Sequence, residues 1–485
     1  MSAVLRLSTI SPQYRSKIRE DLCLQPNETF FNKSNRYSTS KDPILFYQVD
    51  ERQDKLILPY MYANILAQQN INSMLEKPVK EYNFIGGLRD KQIKPMEEAS
   101  QQLLGTGTTI LGLPPGFGKT VCSAYLSSLC KGVTLVFYTR ESLQKQWLKT
   151  FTDFTDADVW IVGSSHIYNQ TVDKRSTTLK IESYDKYVPD IILCMKQSVH
   201  KIPPPMLNMI TTLVIDEAHQ FCTQDSVIPL LATTPKYVIA CSATLDTRSD
   251  GMQSMIHHMC GEDNIVKRFE TKQFTVYKFE TGVKVPIPKN ARGKTDWSGL
   301  VKALTTHPQR NAYIVELVEK NPNHKIIILT WTKHHVEVLK TVLEDRGNDV
   351  DFYYGNRKSY SDSRILIGTV SKIGTGFDEA NACPDYKGTP SNMLIICGST
   401  KNVGTLEQNV GRVFRAEEPV IFHLVDDMVI IKKHWRICLK WYSDPVRNGN
   451  ILTVGMSPEA EKDKYNETFV GESDVDRIKQ LYGTR

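Results

Sequence analysis

The chain has 485 residues, and its 60 lysines and arginines outnumber its 54 aspartates and glutamates, for a formal net charge of +6 at pH 7. At roughly 100–200 residues per domain this length predicts two to four domains, and 40% hydrophobic with 24% charged residues is ordinary for a globular protein. No apolar run approaches the roughly 20 residues of a membrane helix, which argues against a membrane protein. The mildly basic balance permits a polyanionic partner but equally fits a solvated basic surface.

The first 85 residues differ from the rest of the chain. They are polar and rich in Asn and Ser, with one clear apolar stretch, LILPYMYANIL. The amino terminus lacks the apolar core of about 7–15 residues that a signal peptide has. The ten scattered cysteines form no C-x-x-C pair, which favours buried, reduced thiols in an intracellular protein. We therefore predict a small accessory domain at residues 1–85.

From about residue 86 onward, short apolar runs alternate with longer amphipathic stretches. The first set is TLVFYT, DIILCM, TLVIDEAH and YVIACSAT, and the second is KIIILTW, RILIGTV, NMLIICGS and VIFHLVDD. Such runs are typical of fully buried parallel strands, and their alternation with helical patterns predicts two α/β domains. We place these domains at 86–255 and 301–445, joined by a linker region at 256–300 and followed by a polar tail at 446–485.

The segment LPPGFGKT follows the apolar run TTILGL and resembles a phosphate-binding loop. Gly116 and Gly118 would let successive N–H groups face an anion at the start of a helix. Lys119 would reach the β- and γ-phosphates, and the Thr120 hydroxyl would ligate Mg²⁺. The strict pattern requires glycine at the first position, so a chance Gly-Lys-Thr in a loop stays open on this motif alone. The predicted nucleotide contacts of the loop are Leu113, Pro114, Pro115, Gly116, Phe117, Gly118, Lys119 and Thr120.

Two adjacent carboxylates, Asp216 and Glu217, end the apolar run TLVI. A hydrolytic ATP site needs one acid to hold Mg²⁺ and one to orient or deprotonate the attacking water. We assign the first role to Asp216 and the second to Glu217. An isolated Asp-Glu pair after a strand would more often cap the next helix, but its distance of 97 residues from Lys119 (216 − 119) suits two strands of one nucleotide-binding sheet.

The segment Gln408-Asn-Val-Gly-Arg412-Val-Phe-Arg415 lies in the second set of elements. Arg412 and Arg415 are three residues apart, so on a helix they would share a face. Two guanidinium groups on one face can grip a transferring phosphoryl group. The other interpretation is a basic helix face that binds solvent or nucleic acid.

Together these segments resemble the motifs of superfamily 2 helicases over about residues 86–440. LPPGFGKT resembles motif I, DEAH at 216–219 motif II, and Ser242-Ala243-Thr244 motif III. Thr369 with Gly374-Thr375-Gly376-Phe377-Asp378 resembles motif V, and QNVGRVFR resembles motif VI. The resemblance implies that His219 links the ATP site to motif VI, that Gly376 and Asp378 contact the nucleotide, and that Gln408, Arg412 and Arg415 take part in catalysis.

Further segments are similar to the XPB-like and UvsW-like branch of that superfamily. Leu88-Arg89-x-x-Gln92 resembles its adenine-recognition segment, which implies that Arg89 and Gln92 contact the base. Leu143-x-x-Gln146-Trp147 resembles its motif Ia, which faces the nucleic-acid backbone, although Trp147 alone reads more readily as a packed core residue. The overall layout is similar to helicases of large DNA viruses, including the poxvirus transcript-release type.

This resemblance implies two tandem RecA-like parallel-sheet domains with a small N-terminal accessory domain, and ATP bound with Mg²⁺. It implies an ATP-driven helicase or translocase that acts on nucleic acid, with DNA favoured over RNA, as a soluble intracellular monomer. Transcription or replication machinery is an expected partner. For a viral chain, the host cytoplasm or nucleus and the virion are the expected locations. An RNA helicase and a non-catalytic nucleic-acid clamp are the alternatives.

Overall fold

The computed structural model divides the chain into two compact units, residues 1–268 and 269–485. All ten cysteines are free thiols, and nine of them are buried, as the sequence predicts. Within the described ranges, no helix combines the length and apolarity that spanning a bilayer requires. The structure describes residues 2–26, 43–114, 116–163, 167–169, 177–179, 188–242, 245, 250–267, 273–291, 293, 295–374, 377–445, 449–455 and 479.

The amino-terminal elements form a small antiparallel sheet that packs against the rest of the first unit. Its strand order is β1-β5-β4, and β2 pairs with β3 beside it. The Ser2 hydroxyl lies 3.1 Å from the carbonyls of Leu231 and Thr233, and the Tyr60 hydroxyl donates to the Lys236 carbonyl at 2.8 Å. These elements are β1 (Ser2–Arg6), α1 (Pro12–Asp21), β2 (Cys23–Leu24), β3 (Ile44–Leu45), β4 (Gln48–Asp50), β5 (Lys55–Pro59) and α2 (Tyr60–Ala67).

The first unit is built on a nine-stranded sheet. Its strands are β6 (Thr108–Gly112), β7 (Val133–Tyr138), β8 (Val159–Val162), β9 (Ile167–Asn169), β10 (Thr177–Leu179), β11 (Ile191–Met195), β12 (Ile210–Ile215), β13 (Tyr237–Cys241) and β14 (Ile265–Lys267). Its helices are α3 (Asp90–Thr106), α4 (Lys119–Leu129), α5 (Glu141–Phe154), α6 (Pro204–Met209), α7 (Val227–Leu231) and α8 (Ser254–Cys260). The strand order is β10-β9-β8-β11-β7-β12-β13-β6-β14.

Both faces of this sheet are covered, which explains the continuous apolar runs. In β7, Val133, Leu135 and Phe137 belong to one buried cluster, whereas Val136 and Tyr138 belong to the cluster on the other face. Successive strand residues point to opposite faces, so a run without polar interruptions indicates a sheet with helices on both sides. The sheet is parallel except at one edge, where β8, β9 and β10 pair antiparallel.

The second unit contains a seven-stranded sheet in which all pairs are parallel. Its strands are β15 (Phe274–Glu280), β16 (Ile326–Thr330), β17 (Val350–Tyr353), β18 (Ile365–Thr369), β19 (Met393–Ile396), β20 (Val420–Val425) and β21 (Gly449–Gly455). Its helices are α9 (Trp297–Thr305), α10 (Pro308–Glu319), α11 (Lys333–Asp345), α12 (Val370–Ile373), α13 (Glu379–Ala382), α14 (Val403–Val410) and α15 (Val429–Tyr442). The order is β17-β18-β16-β19-β20-β15-β21. The predicted fold class, two tandem RecA-like domains with a small amino-terminal addition, is confirmed.

Parts of the predicted linker region and of the predicted tail belong to these sheets. The range 256–300 contains β14, at the edge of the first sheet, and β15, which pairs with β20 and β21 in the second. The range 446–485 contains β21. Strand β15, FTVYKFE, alternates buried and partly exposed residues, so it lacks the continuous apolar run that marks a central strand. The sequence limits of the domains remain a prediction, but these two segments are not plain connections.

Two histidines are buried in the core of the second unit. His335 Nε2 lies 3.0 Å from Asn311 Oδ1, and His423 Nδ1 lies 3.0 Å from the Tyr442 hydroxyl. Burial lowers the pKa of each imidazole to about 3. Because this pKa lies below that of an unfolded imidazole, about 6.5, the unfolded state binds more protons whenever the pH lies between these two values.

We therefore expect the free energy of unfolding of the second unit to fall as the pH decreases from about 6.5 toward 3, by up to ~1.4 kcal/mol per pH unit for each histidine. Urea unfolding at a series of pH values measures this slope. His335→Gln and His423→Gln should lower stability at pH 7 but flatten the slope. Replacement of the exposed His200 is the control, and an unchanged slope in both core variants would contradict the assignment.

Candidate nucleotide-binding site

The loop between β6 and α4 contains two glycines whose backbone is left-handed. Gly116 and Gly118 have φ of 80° and 95°, in the left-handed region that favours glycine. Gly118 is the N-cap of α4, so the helix begins at Lys119 and its first N–H groups lie where the sequence predicts phosphate. Pro115 lies outside the described residues.

The Lys119 side chain closes across this loop. Its ammonium donates to the carbonyl of Leu113 at 3.0 Å and lies 3.3 Å from that of Pro114. Thr120, in the first turn of α4, is buried, with 8% exposure. The leucine that replaces the expected glycine is fully buried and belongs to the core cluster on this face of the sheet. Leu113 thus anchors the loop by packing, which accounts for the departure from the strict motif.

Gln92 holds the loop from the side. Its Nε2 donates to the Phe117 carbonyl at 2.7 Å, and its Oε1 accepts from the Arg89 backbone N–H at 2.9 Å. The side chain is 2% exposed, and a Cβ on Gly118 would lie 2.6 Å from the amide nitrogen. The structure therefore gives Gln92 a loop-bracing role, while the adenine contacts of Arg89 and Gln92 remain a prediction.

We expect Gln92→Leu to weaken ADP binding by about tenfold. Loss of this donor leaves the Phe117 carbonyl oxygen unsatisfied, which costs ~1–3 kcal/mol. Equilibrium titration with ADP and GDP separates the two roles. If Gln92 only braces the loop, the substitution weakens the binding of both nucleotides. If Gln92 recognises adenine, the substitution weakens ADP binding selectively. Gln101→Leu, on the exposed face of α3, is the control. Unchanged affinity for both nucleotides would contradict both roles.

The acidic pair follows β12, which lies between β7 and β13 in the sheet. The Asp216 N–H donates to the Phe137 carbonyl at 2.9 Å, extending the strand by one residue, and the side chain is 6% exposed. Burial, and then the neighbouring charge of Glu217, raise the pKa of the Asp216 carboxyl. The Trp147 indole and the Lys119 charge act in the opposite direction, so Lys119 and Asp216 belong to one electrostatic environment.

Glu217 adopts an unusual backbone conformation, with φ of 51°, in the left-handed region that costs a non-glycine residue about 1–2 kcal/mol. Its Oε2 is buried without a hydrogen-bond partner among the described residues, although His219 Nδ1 lies 3.4 Å away. His219 Nδ1 is also 3.1 Å from the Ser242 hydroxyl, which joins motif II to the start of motif III. Ala243 and Thr244 lie outside the described residues.

Helix α5 adds two contacts that the sequence analysis missed. Gln146 Nε2 donates to the Thr120 hydroxyl at 3.0 Å, and Trp147 Nε1 donates to Asp216 Oδ2 at 2.8 Å. Trp147 is fully buried, which confirms its interpretation as a core residue. The signal was present, because the N–H of a buried tryptophan usually has a polar partner.

The arginine segment of the second unit is not helical, contrary to the expectation that Arg412 and Arg415 share a helix face. Helix α14 ends at Val410 with Gly411 as its C-cap. The backbone of 410–416 then forms hydrogen bonds between residues three apart, such as Val413 N to Val410 O at 3.2 Å. Residues three apart in such tight turns still lie on one side. The two arginines therefore face the same neighbour, the motif V segment.

Both arginines are held by that segment. Arg412 donates to the carbonyls of Phe377 and, at 2.9 Å, Gly374, and Arg415 forms an ion pair with Asp378. Gln408 is buried on α14 with 9% exposure. Thr375 and Gly376 lie outside the described residues. Motifs V and VI thus form one cluster in the second unit.

The residues of the first unit fit ATP with Mg²⁺. Glu217 Oε2 is buried without a hydrogen-bond partner among the described residues, it belongs to the residue next to Asp216, and carboxylate oxygens of this kind suit Mg²⁺. The start of α4 provides a helix N-terminus and, in Lys119, a lysine for phosphate. The predicted metal ligands Thr120 and Asp216 are tied to neighbouring residues of one helix, which is consistent with a shared function.

The comparisons with known proteins agree with these motifs. Residues 85–247, about a third of the chain, match the family described as the res subunit of type III restriction enzymes. Protein 161L of Invertebrate iridescent virus 6, which is named as a helicase, is 28% identical over 478 residues, covering 93% of this chain and 99% of its own length. The transcript termination protein A18 of Rabbit fibroma virus is 24% identical over 434 residues, covering 82% of this chain and 87% of that protein.

Among solved structures, T4 UvsW has 16% sequence identity to this chain and a TM-score of 0.36. The match covers 92% of this chain and 96% of that one.

Proposed function

We propose that this chain is a superfamily 2 helicase that couples ATP hydrolysis to movement along nucleic acid, and that this nucleic acid is DNA. The observation that carries the proposal is the meeting of a phosphate-binding loop with two adjacent carboxylates in one sheet. The loop follows β6, and Asp216 and Glu217 follow β12. In a parallel sheet the carboxyl ends of the strands form the ligand edge, so both motifs face the same side.

In this proposal the first unit binds the nucleotide. Lys119 and the first N–H groups of α4 hold the phosphates, and Thr120 and Asp216 hold Mg²⁺. When bound, Mg²⁺ neutralises charge on the phosphoryl oxygens. Glu217 orients the attacking water and accepts its proton, a role that suits a buried Oε2 with no hydrogen bond from the described residues. His219 couples the acidic pair to Ser242, because its Nδ1 lies 3.1 Å from the Ser242 hydroxyl.

Arg412 and Arg415 are proposed to stabilise the transferring phosphoryl group. Their contacts with Gly374, Phe377 and Asp378 hold both guanidinium groups on one side of a tight turn. Charge-assisted donors of this type contribute strongly to phosphoryl transfer when they are fixed in advance. Gln408, Gly376 and Asp378 complete this part of the proposed site.

The preference for DNA rests on the resemblance to the XPB-like branch, through the L-R-x-x-Q segment and the Gln-Trp pair. A poxvirus relative is named as a transcript termination protein, so we propose that this chain also acts with transcription machinery inside an infected cell. Phosphate contacts without base recognition would suit such a motor.

A steady-state ATPase assay with single-stranded DNA, with RNA of the same sequence and without nucleic acid tests the proposal. We expect DNA to stimulate turnover more than RNA, and Lys119→Ala to remove activity in every condition. Equal or greater stimulation by RNA would contradict the DNA preference and favour an RNA helicase. Absence of stimulation by either would contradict the motor and favour a nucleic-acid clamp.

A further inference from the structure

Two adjacent side chains of α5 contact the two residues that are proposed to ligate Mg²⁺. Gln146 Nε2 donates to the Thr120 hydroxyl oxygen at 3.0 Å, and Trp147 Nε1 donates to Asp216 Oδ2 at 2.8 Å. Thr120 belongs to α4 and Asp216 follows β12, so their own elements are separated along the chain. Helix α5 is therefore the element that ties both residues together.

Each hydrogen bond leaves its oxygen able to serve a metal. A hydroxyl oxygen has two lone pairs, so a donor on one of them leaves the other for a cation. An ionised carboxylate has about four acceptor positions, and the indole occupies one of them, on Oδ2, which leaves further positions for a cation. The two donors thus restrict how Thr120 and Asp216 rotate without blocking their acceptor capacity.

The anchoring of the two donors differs from that of a surface contact. Trp147 is fully buried, and its ring stacks on Phe151 with centroids 5.7 Å apart. Phe151 is also fully buried. The indole N–H is consequently fixed by packing, and Gln146 follows on the same helix. Partners that fix metal ligands in this way typically change metal affinity by about 10–100-fold when they are removed.

We propose that Gln146 and Trp147 are positioning residues for the divalent metal of the nucleotide site. This inference rests on the proposed function, because it takes Thr120 and Asp216 as the metal ligands. Neither side chain is a metal ligand, and neither touches nucleotide in this proposal. Helix α5 sets the orientation of the metal ligands, so loss of either donor weakens metal binding more than it weakens nucleotide binding.

The test is Mn²⁺ binding in the presence of ADP, followed by the electron paramagnetic resonance signal of free Mn²⁺, for the wild type, Gln146→Leu and Trp147→Phe. The phenylalanine keeps an aromatic ring in the core and removes the N–H donor together with part of the ring volume. We expect each variant to raise the Mn²⁺ dissociation constant about tenfold. ADP affinity measured with EDTA should change less than twofold.

A matched control is Trp160→Phe. Trp160 is buried in the same sheet, and its Nε1 donates to Asp158 Oδ2 at 2.8 Å, the same bond type and length. Asp158 precedes β8, at the opposite end of the sheet from the residue that follows β12. We expect this variant to bind Mn²⁺ as the wild type does. A larger effect of Trp160→Phe than of Trp147→Phe would overturn the inference.

The remaining outcomes separate the inference from the proposed function. If the wild type binds Mn²⁺ and ADP, and Gln146→Leu and Trp147→Phe both bind Mn²⁺ as tightly as the wild type does, the positioning role alone is overturned. Absence of ADP-dependent Mn²⁺ binding in the wild type would overturn both. If Trp147→Phe lowers thermal stability, Gln146→Leu still tests the positioning role, because Gln146 is only partly buried and its replacement creates no core cavity.

Discussion

Glu217→Gln is expected to reduce the ATPase turnover number by about 10²–10⁴-fold, the usual contribution of a general base, while ADP affinity changes little. The substitution keeps the size of the side chain and removes its ability to accept a proton. Glu217 Oε2, which receives no hydrogen bond from the described residues, is the atom that the proposed mechanism requires for water. Single-turnover hydrolysis and equilibrium ADP titration measure the two quantities separately.

The control is Glu262→Gln, on an exposed glutamate of the same unit, which should retain turnover within twofold. Lys119→Ala gives a different expected pattern, because it removes phosphate binding and should weaken ADP as well as hydrolysis. A Glu217→Gln protein that hydrolyses ATP at the wild-type rate would contradict the catalytic assignment of Glu217. A variant that loses ADP binding would instead indicate a structural role.

Arg310→Met is expected to lower the free energy of unfolding of the second unit by roughly 3–5 kcal/mol, since it leaves a buried charge without its partner. Arg310 Nε lies 2.8 Å from Asp426 Oδ1, and each side chain is 2% exposed. The Thr281 hydroxyl also donates to Asp426 at 2.7 Å, but a hydroxyl does not neutralise the carboxylate. Arg310 further donates to the Cys397 carbonyl, which joins α10 to the end of β19.

Hydrogen exchange measured on peptides from β15, β19 and β20 reports the stability of the second unit by itself. Lys340→Met is the matched control, because Lys340 pairs with Glu344 at the surface, where an ion pair is worth about 0.3–0.5 kcal/mol. The double variant Arg310→Met with Asp426→Leu should recover part of the loss, since no buried charge then remains. A loss below about 1 kcal/mol for Arg310→Met would contradict the expectation.

Much of the fold followed from local patterns. The runs around Leu135, Val214 and Ile327 predict buried strands because both faces of each sheet are covered. Strand β15 was not found, since its alternation resembles a surface strand and its neighbours β20 and β21 come much later in the chain. The end of α14 at Val410 was also missed, because an internal glycine is compatible with either a continuing helix or a stop.

For the proposed site, Lys119 and Asp216 could be predicted from the sequence because loop and strand-end chemistry is local. Their partners depend on packing between distant elements. The segment that contains Gln146 was expected, by resemblance, to face the nucleic-acid backbone, and the contact of Gln146 with Thr120 depends on α5 lying beside α4. In the same way, the bracing of Phe117 by Gln92 joins two segments 25 residues apart.

The left-handed backbone of Glu217 has a consequence for how this protein changes over generations. A chain under selection for folding alone would gain stability from glycine or asparagine at this position, because both tolerate φ of 51° far better than glutamate. A lineage that had lost hydrolysis would therefore drift away from glutamate there. Glutamate is thus the residue that folding disfavours at position 217 and that the proposed water activation requires.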